Sequence, residues 1–128
     1  MSEHRILVVD DDERVLFVLR RTLLAFQNGY EIVTALDGRE ALNKAKEVPF
    51  DLLITDLKMP GMDGITLTQA IRDLNSGTVV VWITAYGCAQ VSDEATRLSV
   101  HECLEKPLRI DEIRRVVREA LKNSKGQR

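Results

Sequence analysis

Five side chains in this 128-residue chain could do chemistry together. Asp10 and Asp11 close the β-branched run Arg5–Val9, Asp56 closes Asp51–Thr55, Thr84 ends Val79–Thr84, and Lys106 follows Cys103-Leu104-Glu105. Carboxylates gathered in one place repel one another, and each raises the pKa of the others unless a cation offsets the charge. A hard divalent ion with oxygen ligands suits such a set. Mg²⁺ takes one or two carboxylates together with waters and phosphate oxygens rather than a closed protein cage. Asp11, Asp56, a main-chain carbonyl just beyond Asp56 and waters fit that description, and the absence of His or Cys from these motifs argues against zinc. Read singly, each residue has an ordinary explanation: Asp10–Asp12 could cap a helix, Asp56 could open a turn, and Lys106 could be a surface lysine before Pro107. Four such strand ends in one chain favour a shared site.

The elements that would carry these residues alternate. Arg5–Val9 reads as a buried strand. Leu16, Leu19, Leu23 and Phe26 then share one helical face, and Asn28-Gly29 stops that helix. Tyr30–Ala35 is a second strand, and Asp37-x-x-Glu40 is a capping box ahead of Ala41, Leu42 and Ala45. Pro49 ends the second helix and the third strand finishes at Asp56. The turn-rich Met59–Gly64 leads into a helix carrying Leu67, Ala70, Ile71 and Leu74. Val79–Thr84 is the most strand-like run, followed by a fourth helix with a thin stripe (Cys88, Val91, Ala95, Leu98). A short strand at Cys103–Glu105 precedes a fifth helix marked by Ile110, Ile113, Val117, Ala120 and Leu121, with Lys122 and Lys125 near its negative end. Five βα units imply a parallel sheet with helices on both faces, and ligands bind such sheets at the carboxyl ends of the strands. One domain over 1–128 is expected, with its core at about 5–121 and a polar 123–128 stretch that is a flexible tail or the start of a linker.

Composition and charge exclude more than they select. A formal charge of −2 gives no electrostatic reason for direct nucleic-acid or membrane binding. No apolar run approaches a membrane span, and Ile6–Val9 running straight into three aspartates is unlike a signal peptide. Cys88 and Cys103 form no CxxC motif and are expected to be a pair of small buried or half-buried side chains in a reduced, cytoplasmic compartment, without metal or redox chemistry.

Taken together, Val-Val-Asp10-Asp11, Asp56-x-x-Met59-Pro60-Gly61-x-Asp63-Gly64, Thr84-Ala85 and Lys106-Pro107 resemble the receiver domain of two-component response regulators, over about Arg5 to Leu121. The resemblance implies a flavodoxin-like, doubly wound α/β fold, a five-stranded parallel sheet of order 2-1-3-4-5 with five helices. It implies Asp56 as the phosphoacceptor and Asp11 and Asp56 as Mg²⁺ ligands. Asp10 would hold the metal through water, and the Lys58 carbonyl would complete the protein ligand set. Thr84 and Lys106 would meet the phosphoryl group, the Lys106–Pro107 bond would be cis, and Ala85 would leave room for the phosphoryl oxygens. Lys58 and Tyr86 match variable positions that tune dephosphorylation. Cys103 stands where the family has an aromatic switch residue, Ser99-Val100 where Gly-Ala is common, and Arg109 where a capping Asp is common.

The implied function is a Mg²⁺-dependent signalling switch rather than a turnover enzyme, one that catalyses its own phosphorylation and slow dephosphorylation. Its implied partners are a sensor histidine kinase or phosphotransfer protein and a downstream effector or attached output domain. Binding, including homodimerisation, would use the fourth helix, fifth strand and fifth helix. A Mg²⁺-dependent aspartyl-phosphate phosphohydrolase of the haloacid-dehalogenase type is the enzyme alternative, though Lys58 stands where its second Asp would be. A nucleotide-binding module lacks the Gly-rich phosphate loop it would need.

Overall fold

The computed structural model describes residues 4–26 and 29–126. Strands β1 (His4–Val9), β2 (Tyr30–Ala35), β3 (Leu52–Asp56), β4 (Val79–Thr84) and β5 (Glu102–Glu105) alternate with helices α1 (Glu13–Phe26), α2 (Gly38–Glu47), α3 (Gly64–Leu74), α4 (Ser92–Arg97) and α5 (Ile110–Gly126). All strand pairs are parallel, and the sheet order is β2-β1-β3-β4-β5, as the resemblance implied.

The central strands are apolar throughout because both sheet faces are covered. Side chains alternate along a strand. Ile6 and Val8 therefore join Leu19, Leu23, Val116 and Val117 in the layer under α1 and α5. Leu7 and Val9 join Ala41, Leu67, Ile71 and Trp82 under α2 and α3. Each fully buried Val, Leu or Ile contributes about 1.5–3 kcal/mol, so these two layers dominate the stability of the domain.

Local signals act much as the sequence suggests. Asp37 Oδ1 accepts the Glu40 N–H (2.8 Å), but Glu40 Oε1 accepts from Leu36 N–H (2.8 Å) rather than from the cap residue itself. Asp63 caps α3 through the Thr66 N–H. Gly29 has φ +94°, the left-handed backbone expected after α1, while Asn28 lies outside the described residues. Three details differ. In α3, Leu74 is exposed and Thr68 is buried, because Thr68 faces Trp82. The fourth helical segment opens as a 3₁₀ turn, Cys88–Val91, and only Ser92–Arg97 is α-helical, without a buried residue. Helix α5 continues past Asn123, where a tail was expected, to Gly126.

The cysteine expectation is corrected. Cys88 and Cys103 form a disulfide with Cα atoms 5.9 Å apart, and no cysteine among the described residues is free. That spacing falls within normal disulfide geometry. The contact comes from tertiary structure: β5 lies beside β4 with Cys103 opposite Trp82, and the chain leaving β4 turns back over β5 at Cys88.

Candidate functional site

Sheet register brings the acidic and basic residues together. Val9 pairs with Thr55 and Asp56 with Ile83, so Asp10 and Asp56 leave neighbouring strands side by side. Thr84 pairs with Glu105, and the Lys106 N–H donates to the Thr84 carbonyl (2.8 Å), placing Lys106 at the same rim. Between β1 and β3 the sheet order switches direction, leaving the crevice that such folds use for ligands.

Lys106 Nζ lies 2.9 Å from Asp10 Oδ2 and 3.5 Å from Asp56 Oδ2. Asp10 Oδ1 accepts the Asp12 N–H (2.9 Å), and Asp56 Oδ1 accepts the Leu57 N–H (2.9 Å). Asp12 does the capping, accepting the Arg14 N–H (2.9 Å), which frees its two acidic neighbours from that task. Asp10, Asp56 and Thr84 are buried, while Asp11 is exposed at the mouth. Burial, then the neighbouring Asp10 charge, raises the Asp56 pKa; burial likewise raises that of Asp10. Burial alone would lower the Lys106 pKa, but its contacts with Asp10 and Asp56 more than offset this and raise it.

The donor set fits a divalent cation. One carboxylate oxygen each from Asp10, Asp11 and Asp56 lies within 4.8 Å of the others. Three carboxylates face a single ammonium, so an excess of two negative charges converges on a partly desolvated site. All the donors are hard oxygens, which suits Mg²⁺.

The flanking positions are also placed. Thr84 Oγ1 accepts the Tyr86 N–H (3.1 Å), and the Lys58 ammonium sits 5.2 Å from the centroid of the Tyr86 ring. Ala85 and Tyr86 are exposed beside the site, and Lys106–Pro107 is cis. Cys103 does not face the site as a free side chain, being bonded to Cys88.

Two positioning features escape the sequence reading. A Cβ at Gly64 would collide with the Asp56 carbonyl, so the Asp63-Gly64 pair lets α3 start directly against the end of β3. Behind it, Trp82 Nε1 donates to Thr68 Oγ1 (2.8 Å), which donates to the Gly64 carbonyl (2.8 Å). The second is Arg72. Its Nε donates to the Leu98 carbonyl (2.9 Å) and its guanidinium also reaches the Ser99 carbonyl (2.9 Å) and that of Thr78, tying α3 to the end of α4. Gly64 belongs to the turn motif Met59–Gly64, but its requirement for glycine comes from the Asp56 carbonyl, a contact that only the folded chain makes. Arg72 carries no local signal, since its acceptors are main-chain atoms elsewhere in the chain.

A family model described as the response regulator receiver domain matches residues 6–118. The transcriptional regulatory protein ZraR of Escherichia coli K12 is 36% identical over 116 residues, which cover 91% of this chain and 26% of ZraR. The sensor protein EvgS of the same organism is 38% identical over 106 residues, 83% of this chain and 9% of EvgS. The chain thus spans about a quarter or less of these relatives. Among solved structures, a CheY-like receiver domain protein from Methanospirillum hungatei superposes with a TM-score of 0.91 at 27% identity, covering 99% of this chain and 100% of that one. CheY4 of Vibrio cholerae superposes with a TM-score of 0.86 at 30% identity, covering 94% of this chain and 100% of that one.

Proposed function

Because this chain belongs to the response regulator receiver domain family, a family of signalling domains, we propose that Asp56 is its phosphoacceptor and that Asp10, Asp11, Asp56 and the Lys58 carbonyl hold Mg²⁺. The observation that carries this reading is the convergence of three carboxylates and the Lys106 ammonium at one end of the sheet. The hydrolase alternative lacks its general acid, because the position two after Asp56 is Lys58, whose ammonium stacks on Tyr86.

Asp56 Oδ1 is held by the Leu57 N–H, which fixes the carboxylate plane, and Oδ2 lies on the Lys106 side. We assign Oδ2 as the nucleophile. As it bonds to phosphorus, the bond from phosphorus to the donor, a phosphohistidine nitrogen or the acyl oxygen of acetyl phosphate, breaks. Bound Mg²⁺ would supply positive charge to the phosphoryl oxygens during transfer. Lys106, already bracketed by Asp10 and Asp56, shifts its ammonium toward the same oxygens and offsets their charge. Thr84 contributes its hydroxyl proton to a phosphoryl oxygen, and exposed Ala85 leaves that approach open. Water attacking phosphorus later releases inorganic phosphate and restores the carboxylate, with Lys58 and Tyr86 shaping its access.

The donor on this reading is a sensor histidine kinase or phosphotransfer protein in the cytoplasm. The readout passes through α4, β5 and α5 to an effector, an output domain or a second copy. No helix among the described residues is long and apolar enough to cross a membrane.

The test is incubation with acetyl phosphate and Mg²⁺ followed by intact mass. Wild type should gain one phosphoryl group and Asp56→Asn should gain none; equal labelling of both would remove Asp56 from the role.

A further inference from the structure

The disulfide closes the stretch that begins at Thr84, the residue whose hydroxyl would turn to a phosphoryl group. Cys88 opens the 3₁₀ turn that follows Thr84 by four residues, and Cys103 lies on β5 three residues before Lys106. The intervening stretch, 84–88, is fastened to β5 at both ends. At Thr84, the carbonyl accepts the Lys106 N–H (2.8 Å). At Cys88, the sulfur is bonded to Cys103, and the N–H donates to Glu105 Oε2 (2.9 Å). Within that stretch Thr84 Oγ1 holds the Tyr86 N–H, the contact that must rearrange if the hydroxyl turns to a phosphoryl oxygen. Both cysteines are only half-buried, so a small thiol can reach the pair.

We propose that Cys88–Cys103 is a redox modification site, exchanging with dithiols and disulfides, whose oxidised form holds the 84–88 stretch in its unphosphorylated arrangement and so weakens the response to phosphorylation. This rests on the reading of Asp56 as phosphoacceptor. Oxidation is thiol–disulfide exchange. One cysteine thiolate attacks an external disulfide and expels one thiol, leaving a mixed disulfide. The second cysteine thiolate then attacks the protein sulfur of that mixed disulfide and expels the other thiol. Two electrons and two protons leave the protein pair for the external disulfide, and a dithiol reverses the step.

A tether of this kind has a reciprocal signature. If the disulfide disfavours the phosphorylated arrangement by some factor, occupancy of the phosphoryl site disfavours the disulfide by the same factor. Coupling between two such sites is typically about 5- to 150-fold, which sets the size of shift the experiment has to resolve.

The experiment uses beryllium trifluoride with Mg²⁺ as the phosphoryl mimic and a reduced/oxidised glutathione series. Alkylation and intact mass count thiols, and Trp82, opposite Cys103 in the sheet, reports binding by fluorescence. Wild type should form the disulfide in oxidised glutathione. Beryllium trifluoride should shift that equilibrium toward the dithiol by about fivefold or more. Its half-saturating concentration should be higher by the same factor for oxidised than for reduced protein, with the Cys88→Ser/Cys103→Ser variant matching the reduced form. Two thiols persisting in oxidised glutathione, or equal half-saturation in both redox forms, would overturn the proposal. Failure of both forms to bind beryllium trifluoride or take up phosphoryl would instead sink the Asp56 reading, and the redox coupling with it.

Discussion

Replacing Lys106 by methionine probes the electrostatic frame of the site. The ammonium lies 2.9 Å from Asp10 Oδ2 and 3.5 Å from Asp56 Oδ2. At an effective dielectric of about 20, each attraction is on the order of 5 kcal/mol before the cost of desolvation. Removing one partner of a buried pair costs about 3–5 kcal/mol, because the remaining charge is left buried and alone. The Lys106 side chain is 22% exposed, so the lower end applies: about 3 kcal/mol at neutral pH, or roughly 10 °C in Tm for a domain of this size. The loss depends on pH with a definite sign. Burial, with mutual repulsion, already raises the pKa values of Asp10 and Asp56. A carboxyl raised in the folded state contributes stability that is fully present below its unfolded pKa and is lost as pH rises through the folded value. Without Lys106 both values rise further. The gap between wild type and Lys106→Met should therefore be small near about pH 4 and reach its full size by about pH 8. Thermal unfolding followed by circular dichroism in EDTA measures it. An equal gap at both ends of the range would show that Lys106 supports the fold by packing, and would refute the electrostatic reasoning.

Three further outcomes follow from other contacts. Asp56→Asn keeps an oxygen for the Leu57 N–H while removing a desolvated charge, so in EDTA at neutral pH it should unfold about 1–2 kcal/mol harder than wild type; Mg²⁺ should stabilise the variant less than wild type. Arg72→Ala removes three strong donors to main-chain carbonyls and should cost about 2–3 kcal/mol in urea unfolding, with Arg72→Lys recovering less than half, because an ammonium cannot span the three acceptors. Ser99 holds φ +57°, a left-handed backbone that glycine adopts at little cost; Ser99→Gly should raise stability by about 0.5 kcal/mol, and a loss of that size would show that the serine side chain does more than tolerate the turn.

The sheet was readable because its strands are short apolar runs and its helices carry one apolar stripe. β2 and β4 fall at the expected residues, and β1, β3 and β5 lie within one residue of them. The site was readable because strand ends in a parallel sheet converge, so Asp10, Asp56, Thr84 and Lys106 could be placed before any contact was known. The disulfide was not readable. Cysteines fifteen residues apart carry no spacing signal, and only the adjacency of β4 and β5 brings them within bonding distance. Arg72 was hidden for a related reason: its acceptors are carbonyls, which any sequence supplies at every position. The thin stripe over Cys88–Leu98 did report something physical, an α4 of six residues that buries none of them.

The guanidinium of Arg72 has a mechanical consequence. It clamps the far end of the 88–99 span at the Leu98 and Ser99 carbonyls, while sulfur latches the near end to β5. A span bolted at one end and latched at the other cannot slide. With the latch open it swings about the bolt, so displacement should be largest near Cys88 and vanish toward Ser99.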